Sequence, residues 1–140
     1  MALKGDRQVT QTAPPLYEMH ELSERGVMVM SDVGNADRVV LASSSGDPIG
    51  MLLTDVEDLD LTDRPQPLHR MVVASGDVVA LATIGQFKTN MIPSGTDPFT
   101  GEDAYLAADG ELSNTGTVDV GRWLSEKDSD GYAWVSINVA

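Results

Sequence analysis

The stretch that decides the fold is GEDAYLAADGELSNTGTVDVGRWLSEKDSDGYAWVSINVA, residues 101–140. Short apolar segments in it are separated by turn chemistry: Asp109-Gly110, Asn114-Thr115-Gly116 and Asp128-Ser129-Asp130-Gly131. The final segment alternates. Ala133, Val135, Ile137 and Val139 fall on one face of a strand, and Tyr132, Trp134, Ser136 and Asn138 on the other. The pattern predicts a β-meander built for packing, and it holds no reactive side-chain pair.

Upstream of this stretch the grammar is similar from Gly26 onward. Val27–Met30 and Arg38–Ala42 are rich in Val and flank a Gly34-Asn35 turn. Ile49–Thr54 is an apolar run. Met71–Ala74 and Val78–Thr83 flank Ser75-Gly76-Asp77, a hairpin signal. Phe87–Ile92 follows a break at Gly85-Gln86. The segments 55–67 and 93–101 are polar, Pro-bearing and too long for tight turns, so they are expected as exposed loops. About nine short strands result. The expected fold is all-β: a compact β-barrel or β-sandwich of short strands with an extended N-terminal arm.

The arm is residues 1–25, and the β-rich domain is 26–140. Residues 1–15 are polar and end in Pro14-Pro15. In residues 16–25, Leu16, Met19 and Leu22 have helical spacing and Gly26 could stop the turn. A short helix and an irregular lead-in both fit.

One domain suits 140 residues. Aromatics are 5% of the chain, so Val, Leu, Ile, Met and Ala must fill the core. There is no Cys, which removes disulfides, thiolate zinc sites and cysteine nucleophiles. With 22 acidic against 9 basic residues the net charge is −13, which opposes direct contact with DNA or RNA. No segment reaches the roughly 18 apolar residues of a membrane span. The N-terminus has no apolar signal core, so synthesis and assembly in a cytoplasm are expected.

Tests for chemistry return little. His20 sits among Glu18, Glu21 and Glu24, a solvated face, and His69 beside Arg70. The run from Asp128 to Gly131 has a calcium-loop look. Yet Ile137 stands where such a loop needs a bidentate Glu, so a turn explains it better. No G-x-S-x-G elbow, P-loop or G-x-G-x-x-G is present. Trp123, next to Arg122, reads either as an interface anchor or as core. The chain is therefore read as a non-enzyme, with no catalytic, cofactor-binding or metal residues assigned.

Several runs nevertheless form a familiar order. They are DPIGMLLTDV (47–56) and DLDLT (58–62), then GDVVAL (76–81) and GQFKTNMI (85–92). GEDAYLA (101–107), VGRWLS (120–125) and KDSDGYAWV (127–135) complete the order. This order resembles the head decoration, or capsid cement, proteins of tailed bacteriophages. The resemblance covers residues 46–140 and carries no catalytic motif. It implies a structural virion protein on the outer capsid surface, made in the host cytoplasm. Such a protein would be a homotrimer that bridges major capsid protein subunits and stabilises the shell. Nucleic acid and membrane would not be partners. Capsid contacts are expected from the arm (Leu3, Leu16, Tyr17, Met19) and from the loops 55–70 (Asp58, Asp60, Arg64, His69) and 93–101 (Phe99). A rival from another class is a small-ligand or glycan-binding β-domain of a virion fibre or receptor-binding module. It would show Tyr17, Trp123 or Trp134 exposed near an acidic loop.

Overall fold

The computed structural model describes residues 3–13, 17–57 and 72–139. Strands make up 49% of the chain and helix 3%, so the protein is all-β as expected. Among the described residues the strands are β1 (Leu3–Thr12), β2 (Glu18–Met19), β3 (Met28–Asp32), β4 (Asn35–Leu41), β5 (Pro48–Leu52) and β6 (Asp55–Glu57). They continue with β7 (Val72–Ala74), β8 (Leu81–Thr89), β9 (Asp103–Leu106), β10 (Leu112–Ser113), β11 (Asp119–Trp123) and β12 (Ala133–Asn138). A 3-10 turn, Ala108–Gly110, precedes β10.

One sheet runs β10-β9-β11-β12-β8-β5-β3-β4-β2, and β6 pairs β7 separately. The sheet is open and does not close into a barrel. Its centre is β8. Antiparallel β1 lies along one edge of β8, from Ala82 to Thr89. The other edge is shared. β12 pairs Ile84 to Thr89, and β5 pairs Leu81 and Ala82. The sheet thus forks at β8 into a β12-β11-β9-β10 branch and a β5-β3-β4-β2 branch.

Each branch contributes to a first core. Met28 and Met51 come from one, Ala104, Val120, Trp123, Val135 and Ile137 from the other, and Phe87 from β8. A second core lies on the opposite face of β3 and β5: Val27, Val29, Val39, Leu52, Val56, Val79 and Leu81, with Met19. Sheet faces buried on both sides need apolar residues at every position. This is why Val27-Met28-Val29 and Met51-Leu52-Leu53 are continuous apolar runs, while β12, buried on one face, alternates.

Several expectations need correction. No helix forms among residues 17–25. Glu18 and Met19 pair in parallel with Arg38 and Val39, and the chain lies extended across the second core. Three apolar residues at helical spacing are outweighed by the burial that an extended path gives Met19. Gly85 does not break a strand: β8 passes through it, opposite Val9 and Ile137. The register of β1 slips just beyond that pair, between Val9 and Gln11. The Ser75-Gly76-Asp77 turn forms, but β7 pairs in parallel with β6 and not with the following strand. Asp55–Glu57, expected as loop, is β6. The arm is extended, and its residues 3–12 are a strand of the main sheet.

Candidate functional site

Of the residues expected at an interface, Leu16, Asp58, Asp60, Arg64 and His69 lie outside the described residues. Leu3 begins β1, opposite Thr89. Met19 is a correction: it is fully buried in the second core and offers nothing to a partner. Tyr17 is half-buried against the same core. Phe99 is different. It is 60% exposed and belongs to neither core.

The loop carrying Phe99 is firmly pinned. The Phe99 N–H donates to Glu102 Oε1 at 2.7 Å, and the Glu102 N–H returns to the Phe99 carbonyl at 3.0 Å. Asn114 Nδ2 donates to the Asp97 carbonyl at 3.3 Å and reaches Glu102 Oε1 at 3.4 Å. Gly101 N–H donates to the Trp123 carbonyl, and Trp123 N–H to the Glu102 carbonyl, both at 2.8 Å. Glu102 therefore joins the loop to β11 through its backbone and to the turn after β10 through its carboxylate. With the backbone held in this way, only the rotamers of the Phe99 ring are left to be ordered when a partner covers it. Its local signal in the sequence, Glu three residues after Phe, is too short to read without the neighbouring strands.

Trp123, by contrast, is fully buried and donates its indole Nε1–H to the Ser113 carbonyl at 3.2 Å. It is core, and cannot serve as an exposed ring for a glycan. The run from Asp128 to Gly131 is a closed turn. Asp128 Oδ1 accepts the N–H groups of Asp130 (2.9 Å) and Tyr132 (3.0 Å), and Oδ2 meets Lys88 Nζ at 3.3 Å. These donors hold its carboxyl below the ordinary value, the Tyr132 N–H foremost. Tyr105 moves the other way. Partial desolvation, then the charges of Asp103 and Asp119, push its hydroxyl up.

A second feature was not anticipated from the sequence. An open groove of about 640 Å³ is lined by Leu22, Ser23, Glu24, Val27, Leu41, Asp55, Val56, Glu57, Met91, Asp109 and Glu111. Ser23 and Val56 exchange two backbone hydrogen bonds (3.0 and 2.8 Å), which clamp residues 22–24 to β6. Opposite them, Gly110 N–H donates to the Ala42 carbonyl and Leu112 N–H to Met91, fixing Asp109 and Glu111. The groove draws on residues from five separate stretches, which is why no linear motif announces it.

A scan against models of known protein families finds none that matches this chain, and no curated protein matches its sequence.

Proposed function

We propose that this chain is a structural virion protein that binds the outer surface of a tailed-phage capsid. It would stabilise the shell by bridging major capsid protein subunits, acting as a homotrimer. The observation that carries the reading is Phe99, an exposed aromatic held on a hydrogen-bonded loop. Buried aromatic anchors of this kind dominate protein interfaces, often at about 2 kcal/mol or more each.

Two further features support it. β1 spans ten residues and, among the described residues, has only β8 as a neighbour. Among the described residues no strand pairs its second edge, which suits strand addition by another chain. The net charge of −13 suits a surface that faces away from packaged nucleic acid. Repeated over many copies, modest contacts of this kind add up to a large effect on shell stability.

The test is reconstitution. Expanded shells purified without the protein are mixed with wild type or Phe99→Ala and imaged. Wild type should decorate the outer surface and raise the temperature at which shells rupture, and Phe99→Ala should lose most of its occupancy. Failure of wild type to bind would overturn the reading.

A further inference from the structure

The groove between residues 22–24, β6 and the Ala108–Gly110 turn combines carboxylates with an aliphatic lining. Its lining includes five carboxylates, those of Glu24, Asp55, Glu57, Asp109 and Glu111. Only Asp55 meets a base among the described residues: Arg25 Nε lies 3.7 Å from its Oδ1. The rest of the lining is largely aliphatic. Val27 and Val56 are buried beneath it, Leu41 and Met91 are half-buried, and Leu22 stands 59% exposed at its side. The volume lies within the roughly 300–1,000 Å³ span of sites that hold ligands.

The carboxylates ring the groove and do not converge. Among the described residues no three Asp, Glu or His come close enough to hold a metal ion. A hydrated cation would also gain nothing from the aliphatic lining. The matching chemistry is a side chain with an apolar stem and a cationic end, repeated along a chain. Lys and Arg have this form, and they lay their methylenes on apolar surface while the head reaches charge. We infer that this groove docks an extended segment of a partner protein in which Lys or Arg alternates with aliphatic residues. The groove shares no residue with the Phe99 loop, and the inference holds whether or not that partner is a capsid subunit.

The test uses the intact chain and a fluorescent peptide of alternating Lys and Leu, with Lys-Ser and Glu-Leu peptides as comparisons. The Lys-Leu peptide should bind tightest, and affinity should fall with added salt. The combined change Glu24→Gln, Glu57→Gln, Glu111→Gln should weaken it about tenfold. Asp37→Asn, Asp47→Asn, Glu126→Gln changes net charge equally at residues outside the groove and should leave affinity within about twofold. Leu22→Ser, a change at an exposed position, should cost several-fold in affinity with the fold intact. Equal loss from both charge-matched triples would mean attraction to overall charge and would overturn the inference. So would equal binding of the Lys-Ser peptide, or a concentration-dependent dimer abolished by Leu22→Ser, which would make a second copy the occupant.

Discussion

Phe99 and Glu102 exchange two hydrogen bonds, one into the Glu102 carboxylate at 2.7 Å and one back to the Phe99 carbonyl at 3.0 Å. The pair separates two roles in neighbouring residues. In the proposed interface Phe99 would supply contact area, and Glu102 holds the loop that presents it. Phe99→Ala should therefore change unfolding free energy by no more than about 0.5 kcal/mol, as for ordinary surface positions. Glu102→Ala should lower it by about 0.5–1.5 kcal/mol, the net worth of the hydrogen bond that the Phe99 N–H loses to water. On the proposed capsid-binding reading, both should reduce shell occupancy. Urea unfolding beside the reconstitution assay separates the two effects.

Trp123 fills the first core between the two branches of the sheet. Trp123→Ala should destabilise by about 3–5 kcal/mol, through lost burial and the cavity left behind. The Ser113 carbonyl also loses its indole donor. A loss under about 1 kcal/mol in chemical denaturation would mean that the core can collapse around the gap.

Gly121 on β11 sits against the Ser136 carbonyl of β12 so closely that a side chain has no room. The obstacle is backbone and cannot swing aside. Gly121→Ala should cost about 3 kcal/mol and disturb the β11–β12 pairing. Gly34 has a φ of +91° in an open turn. Gly34→Ala should cost only the left-handed penalty, about 1–2 kcal/mol. Melting temperatures should rank the two in that order.

Asp128 gives a pH dependence with a definite sign. Its folded-state pKa lies below the ordinary 3.8, chiefly because of the Tyr132 N–H, then that of Asp130, then Lys88. Stabilisation from its charge is complete above the unfolded value and is lost as pH falls through the lower folded value. Asp128→Asn should therefore be less stable than wild type at neutral pH, and the gap should close in strong acid. Thermal unfolding across that range checks it.

Deleting residues 1–12 removes β1 and bares the edge of β8 from Ala82 to Thr89. The truncated chain should unfold at a lower temperature and associate through the exposed edge. Light scattering of dilute and concentrated samples would reveal this.

The strands were legible in the sequence wherever burial is one-sided or turns are local. Ala133, Val135 and Ile137 are buried as the alternation of β12 predicts. A tight turn does join β3 to β4, one residue earlier than expected: it is Val33-Gly34, and Asn35, already in β4, pairs with Asp32. Pairings between distant stretches were not legible. Nothing near Val72 announces a parallel partner at Asp55, and nothing near Met19 announces that Val39 will lie beside it. Phe99 was legible as a loop residue but not as a pinned one, because Asn114, in the turn after β10, and Trp123, on β11, hold that loop. The groove was not legible at all. Its carboxylates look like ordinary surface charge until Leu22 and Met91 are brought among them.

The fork at β8 also sets a timetable. Among the described residues β8 has three neighbours: Ala133–Asn138 is synthesised more than forty residues after β8 itself, while Leu3–Thr12 precedes it in the chain. The centre of the molecule stays half-bonded on the ribosome, and Leu3–Thr12 must wait for its mate. Non-local closure of this kind is slow. Where many copies are made at once, unfinished chains meet each other before β12 arrives, so a holding chaperone should raise the yield of folded protein more than a slower rate of synthesis would.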